Sequence, residues 1–305
     1  MLSVAICTYN GAKFIREQIT SILGQSMPVD EIVVCDDCST DDTLEIVEAM
    51  KKNSNVPFRV FRNEKNIGFK DNFFNAIERC QGDLVFLSDQ DDVWHPNKVE
   101  TMVNWFNRHP DKQVVFTDAS LIDVHGTRIQ GGLWQRFGFD KKKQRFFDHG
   151  GALDIWMWSN RATGATMAFK KDFVRNEWRD FASTYHDEII AFQGVVLHAL
   201  GYIPQQLMDY RLHDGQFCGA DAMPLSLQYT PLKPCPDFSW KDGAGTLPLR
   251  ERQHLDFVLK RASLKNTKFG WGPLSHLRSY VRNYRSWAYK FFLYDWCVSL
   301  KHSFD

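Results

Sequence analysis

No stretch of this 305-residue chain approaches the ~18 consecutive apolar residues that a membrane span requires. The N-terminus lacks a charged-then-apolar leader and reads as a buried strand, so the expectation is a cytoplasmic protein. No GxGxxG follows the first apolar run and no GxxxxGK[ST] occurs anywhere, which removes the main warrant for a dinucleotide oxidoreductase or a P-loop enzyme. The loop after the first strand is also not the glycine-rich, basic loop of a sugar-1-phosphate nucleotidyltransferase. An excess of one charge is missing: 37 Lys+Arg balance 37 Asp+Glu, so nothing electrostatic argues for nucleic acid as a partner. The seven cysteines are sparse and odd in number, which fits reduced thiols better than a disulfide framework. Cys35 and Cys38 form a lone CxxC with no second pair and no histidine at ligand spacing, so neither zinc nor redox chemistry is expected there.

A hydrophobic content of 44% supports one large core, and the length suggests one catalytic domain with an appendage. Apolar runs at residues 2–7, 31–35, 58–61, 84–87 and 114–116 alternate with amphipathic stretches. That is the pattern of an α/β fold with a mostly parallel central sheet flanked by helices. A strand is expected at 165–169, a helix at 186–200 and another strand at 202–207. Residues 125–160 are basic, aromatic and weakly periodic, and read as loops with short elements. The expected partition is a catalytic domain at 1–220, with a nucleotide-binding half at 1–120 and an acceptor-binding half at 121–220. A proline-rich linker at 221–250 and a helical appendage at 251–305 would follow.

In open sheets of this kind ligands gather at the carboxyl ends of the strands, and three strand ends here are polar. Thr8-Tyr9-Asn10-Gly11 follows the first. Tyr9 offers a ring to stack on a base and its neighbours offer backbone donors, although the four residues are equally a turn. Asp36-Asp37 ends the second, either to accept from a base imide or ribose or to serve as a solvated turn. Ser88-Asp89-Gln90-Asp91-Asp92 ends the fourth. Clustered carboxylates repel unless a cation joins them, and hard oxygen ligands suit Mg²⁺ or Mn²⁺ with positions left for substrate phosphates; the alternative is an acidic turn capping the next helix. Farther on, His186-Asp187-Glu188 opens a helix whose N-terminus favours a carboxylate, and the same fact allows Asp187 to be an ordinary first-turn acid.

Taken together, Val4 to Gly11, Val33 to Asp41, Asn66-Ile67-Gly68 and Ser88 to Trp94 resemble a family-2 glycosyltransferase of the GT-A fold. Thr163 to Phe169, His186-Asp187 and Tyr210-Arg211-Leu212-His213 resemble the bacterial rhamnosyltransferase-like branch, and the resemblance spans roughly residues 1–215. It implies an inverting, metal-dependent transfer of a sugar, rhamnose from dTDP-rhamnose in that branch, onto a saccharide or lipid-linked saccharide in surface polysaccharide synthesis. It implies nucleoside contacts from Thr8, Tyr9, Asn10, Asp36 and Asp37. Asp89 would lie near ribose or metal, Asp91 would be the metal ligand, and His213 would sit near the diphosphate and metal. Asp187 would be the general base. The branch more often carries aromatic residues after its His-Asp pair, where this chain has Glu188-Ile189-Ile190, so Glu188 is a rival base or an acceptor contact. Trp134, Trp156 and Trp158 are candidates for sugar-stacking platforms at the acceptor, or for core.

Between Lys260 and His302 nine Lys/Arg face one acidic residue, Asp295. At 277–300 an aromatic helical face lies opposite Arg278, Arg282 and Arg285. Such a helix either docks on an anionic membrane at its inner face or packs on the catalytic domain, the second being favoured. The acidic loops and ten tryptophans leave a non-catalytic carbohydrate- or metal-binding module as the alternative function. Asp187 separates the two, because a binding module needs no general base.

Overall fold

The computed structural model describes residues 1–158, 160–175, 179, 185–214 and 216, without the side chains of 154, 157 and 158. The linker expected at 221–250, the appendage at 251–305 and its 277–300 face lie outside the described residues.

The first half is a run of βα units: β1 (Leu2–Thr8), α1 (Ile15–Leu23), β2 (Glu31–Asp36), α2 (Thr43–Lys52), β3 (Phe58–Arg62), α3 (Phe69–Arg79) and β4 (Leu84–Ser88). All of β2 and all of β1 beyond Leu2 are buried, as expected of parallel strands covered on both faces. The helices bury single stripes, Ile15, Ile19 and Ile22 on α1 and Phe73, Phe74 and Ile77 on α3. Gly68, at φ 87°, makes the turn into α3 that a side chain would resist.

The second half contains β5 (Val93–Trp94), α4 (Lys98–Arg108), β6 (Val114–Ile122), β7 (Arg128–Gly132), α5 (Leu133–Phe137) and α6 (Lys141–Phe146). A π-helical turn at Phe147–Gly151 leads into α7 (Ala152–Trp158), and a 3₁₀ turn at Gly164–Thr166 leads into β8 (Met167–Lys170), followed by α8 (His186–Val196) and β9 (Leu200–Arg211). The sheet runs β3-β2-β1-β4-β8-β6-β9-β5, with β7 paired to β6. From β3 to β4 it is parallel. Beyond β4 it is mixed: β8 is antiparallel to both β4 and β6, whereas β6 and β9 are parallel. The result is an α/β architecture around one curled sheet, with the ends of β1, β2 and β4 opening on the same edge.

β6 and β9 extend well past the apolar runs at 114–116 and 202–207. Their outer residues include Asp118, Ser120 and Asp209, which break the apolar pattern yet are satisfied by neighbouring strands, loops and the start of α5. Asp118 accepts from the amides of Ala119 and Trp134 at 2.8 Å, Ser120 Oγ donates to Gln206 at 3.0 Å, and Asp209 lies 3.1 Å from His95 Nε2. Helix α8 stops at Val196, short of residue 200, because His198 adopts φ 54°.

Residues 125–160 are more regular than their composition suggests, and their aromatics are core. Trp134 is 4% exposed and Trp156 is fully buried, the two packing with Phe116, Phe139 and Tyr202 at ring separations of 5.0–6.3 Å. Rings without an exposed face are no platform for a sugar, so Trp134 and Trp156 take the structural of their two roles. The side chain of Trp158 lies outside the described residues. Among those residues no helix is long and apolar enough to cross a membrane.

Candidate active site

Four loops meet at the open edge of the sheet. The first, after β1, presents Tyr9, whose side chain is among the few large exposed aromatics at 49%. Its backbone is held by one side chain: Gln90 Oε1 accepts from Tyr9 N at 2.8 Å and Gln90 Nε2 donates to Tyr9 O at 3.0 Å. Asn10, at φ 50°, accepts from Thr40 N through Oδ1 at 2.8 Å, and Ser39 Oγ accepts from Asn10 N at 2.9 Å.

The second loop, after β2, buries both of its leading carboxylates. Asp36 is fully buried and accepts from Thr8 Oγ1 at 2.8 Å, Ser39 N at 2.9 Å and Ser39 Oγ at 2.5 Å. Asp37, 3% exposed, accepts from Ile67 N and Gly68 N at 2.8 Å and from Asn63 Nδ2 at 2.9 Å. These carboxylates, and the Thr8 hydroxyl, are committed to the loops that frame the cleft. Their bonds fix the walls of the cleft.

The third loop is Asp89–Asp92. Asp91, 8% exposed, brings Oδ2 to 2.8 Å from Nε2 of His213, which follows β9. Asp92 is 1% exposed and accepts from Arg211 N through Oδ1 at 3.0 Å, while its Oδ2 is buried with no hydrogen-bond partner among the described residues. Arg211 clamps the loop from beneath: Nε donates to Asp91 O at 2.7 Å, Nη1 to Asp123 O at 3.2 Å and Nη2 to Glu17 Oε2 at 2.6 Å. Phe14 packs against both the Arg211 guanidinium, at 4.8 Å, and the His213 ring, at 4.9 Å.

Burial, then the charges of Asp91 and Asp187, pushes the Asp89 carboxyl up to about 8. Burial, then Asp91 and Asp89, pushes Asp92 well above the usual carboxylate range. The clustered carboxyls raise one another, an arrangement that a bound cation would relieve. Among the described residues no three His, Cys, Asp or Glu side chains converge as a ready-made cage. An Asp91–His213 pair with open positions nevertheless fits Mg²⁺ or Mn²⁺, which commonly keep water or substrate phosphates for much of their coordination.

The fourth element is the first turn of α8. Asp187 is partly exposed; its Oδ2 accepts from Gly164 N at 3.0 Å and its Oδ1 from Glu188 N at 2.6 Å. Burial, followed by the Glu188 charge, raises its carboxyl to about 7, a value suited to a base near neutral pH. Asp187 belongs to the same site as the acidic loop, since its charge is among those that raise Asp89. Glu188 is 6% exposed, which leaves Asp187 as the more accessible of the adjacent acids.

Gln90, Gly164 and Lys98 are functional candidates that strand-end motifs do not single out. A Cβ on Gly164 would fall 2.7 Å from His186 Nε2, so only glycine fits at the amide that holds Asp187. Lys98 had a visible signal: it shares the buried face of α4 with Val99, Met102 and Phe106, where a lysine is out of place.

The sequence pattern described as "Glycosyl transferase family 2" matches residues 3–160, just over half of the chain. Chondroitin synthase of Escherichia coli is 30% identical over 172 residues, covering 56% of this chain and 24% of the synthase. The putative teichuronic acid biosynthesis glycosyltransferase TuaG of Bacillus subtilis (strain 168) is 34% identical over 129 residues, covering 42% of this chain and 50% of TuaG. The chain thus spans half or less of the length of these curated relatives. The crystal structure of S. aureus TarS 1-349 in complex with UDP-GlcNAc superimposes with a TM-score of 0.52 at 20% identity, covering 70% of this chain and 59% of that one, and shows that the two share a fold.

Proposed function

Because the chain belongs to glycosyl transferase family 2, we propose that it moves a sugar from a nucleoside diphosphate onto an acceptor hydroxyl, with inversion at the anomeric carbon. The observation that carries this reading is the meeting of Asp187, an accessible carboxyl raised to about 7, with the Asp89–Asp92 loop at one sheet edge. Asp187 takes the proton of the acceptor hydroxyl. The acceptor oxygen attacks the anomeric carbon from the face opposite the diphosphate, and the bond from that carbon to the phosphate oxygen breaks with its electron pair leaving on the diphosphate. Asp91 and His213 would hold a divalent cation, Mn²⁺ or Mg²⁺, with Asp89 beside them near ribose or metal. That ion would supply Lewis-acid neutralisation of the leaving diphosphate.

Tyr9 stacks on the base. Thr8, Asn10, Asp36 and Asp37 shape the nucleoside cleft through the loops they hold. The donor is a pyrimidine nucleoside diphosphate sugar. The motifs at Thr163 to Phe169 and Tyr210 to His213 favour dTDP-rhamnose, while the UDP-GlcNAc named for the TarS complex supports a UDP-sugar as the second reading. The acceptor is a saccharide or lipid-linked saccharide of a bacterial surface polysaccharide, met in the cytoplasm at the inner face of the membrane. The test is a thermal-shift panel of UDP, dTDP and GDP with Mn²⁺, Mg²⁺ or EDTA, followed by release of diphosphate from the matching sugar donors. Stabilisation by one pyrimidine diphosphate that requires metal, with acceptor-dependent diphosphate release, is the expected result. Binding without turnover across donors and acceptors would instead favour a non-catalytic binding module.

A further inference from the structure

Lys98 is fully buried and is the first residue of α4, at the helix end where positive charge is disfavoured. An ammonium buried in that place is costly unless specific partners compensate it. Its Nζ donates to Ala165 O at 2.6 Å and to Met208 Sδ at 3.3 Å, and lies 4.0 Å from the centre of the Trp94 ring. Each partner belongs to a different part of the site. Trp94 follows the Asp89–Asp92 loop. Ala165 is the middle residue of the Gly164–Thr166 turn, whose first amide holds Asp187. Met208 lies on β9, which carries Arg211 and leads to His213. Burial pushes the ammonium down to about 7, and Asp92 and then Asp89 pull it back up.

We propose that Lys98 is a positioning residue for the transfer reaction: a buried amine that fixes the Gly164–Thr166 turn, and with it Asp187, while placing positive charge near the carboxylates of Asp89 and Asp92. This rests on the transferase reading. The contacts of Lys98 leave out Tyr9 and Gln90, so loss of its charge falls on the chemical step more than on donor capture. A displacement of the base by about 1 Å is enough to cost on the order of 10²-fold in rate.

The test uses the full chain with Lys98→Met, which keeps most of the volume and deletes the ammonium, and Lys98→Ala, which leaves room for a three-carbon amine. Lys98→Met is expected to lower kcat by about 10- to 100-fold with donor KM changed less than about threefold. n-Propylamine should restore part of the kcat of Lys98→Ala, and n-propanol, of nearly the same shape, should not. Wild-type kcat in Lys98→Met, or equal rescue by alcohol and amine, would overturn the proposal in favour of simple packing. If Lys98→Met does not fold, Lys98→Met/Asp92→Asn decides: recovery of a cooperative melt supports the charge relationship, and continued failure to fold overturns it. Absence of transfer by the wild-type protein with every donor would sink the transferase reading instead, and the paired melts would still judge Lys98.

Discussion

His186 stacks on Phe73 with ring centroids 3.9 Å apart and planes 22° from parallel. Phe73 lies on α3, whose N-terminal turn is held by Asp37 through the amides of Ile67 and Gly68, and His186 immediately precedes Asp187. One stacked pair therefore joins the helix that follows the Asp37-bound turn to the helix that carries Asp187. His186 is 6% exposed and neither ring nitrogen has a hydrogen-bond partner among the described residues, so the ring serves there as an aromatic plate. The position makes geometric sense for a reaction in which donor and acceptor must be aligned within tenths of an ångström.

That burial carries a cost in acid. Burial lowers the His186 imidazole to about 3, against about 6.5 for an unfolded histidine. The unfolded chain therefore binds a proton that the folded one refuses, and this site's contribution to stability falls as pH drops from about 6.5 towards 3. His186→Phe keeps the stack and removes the titration. Its melting temperature relative to wild type is expected to rise steadily as pH is lowered from 7 to 4; a difference independent of pH would refute the assignment.

Asp187 predicts an acid limb in the pH profile of activity. A base raised to about 7 is active only when deprotonated, so kcat should fall as pH drops below about 7. Glu188 is the second cause of the raised value, so Glu188→Gln should move the limb to lower pH. Asp187→Asn should lower kcat by about 10²-fold or more while keeping the stabilisation by nucleoside diphosphate and metal. A limb that does not move in Glu188→Gln would show that another group titrates.

Much of this site is legible in the sequence, and the remainder fails for identifiable reasons. Strand ends are marked by the switch from Leu84-Val85-Phe86-Leu87 to Ser88-Asp89, because buried parallel strands are apolar on both faces. The roles of Asp36 and Asp37 are not marked. A carboxylate that holds a loop leaves no mark in a chain, and the amides of residues 39, 67 and 68 that these two accept from come from separate loops. The sequence leaves Trp134 and Trp156 open between sugar platform and core because the short helices that carry them, in residues 133–158, lack a clear period. The far ends of β6 and β9 were hidden by Asp118, Ser120 and Asp209, whose partners lie on neighbouring strands and loops.

Gln90 gives a prediction about donor affinity. Its amide bonds both backbone groups of Tyr9, and Gln90→Ala leaves that loop without its brace. Donor KM should rise by roughly tenfold, about the worth of a hydrogen bond or two, with kcat changed far less than in Asp187→Asn. The reverse pattern, a loss in kcat at constant KM, would mean that Gln90 acts on the chemical step.

Arg211 sets the last prediction, and it separates the frame of the site from its chemistry. Its guanidinium is 2% exposed and serves two carbonyls and Glu17 at once. Arg211→Met would leave the Asp91 and Asp123 carbonyls short of donors and release Glu17 from its partner. Breaking a buried charged arrangement of this kind costs about 3–5 kcal/mol, discounted here because Glu17 is 56% exposed and remains solvated. A large fall in melting temperature is expected, together with weaker metal-dependent stabilisation by nucleoside diphosphate, because the backbone of Asp91 is no longer held opposite His213. His213→Ala offers the contrast: the ring is at the edge of the cleft, so its loss should abolish the metal-dependent shift with little change in the melt of the protein alone. If both variants lower stability equally and leave the metal-dependent shift intact, the Asp91–His213 pair is a structural contact and the cation must be sought elsewhere in the acidic loop.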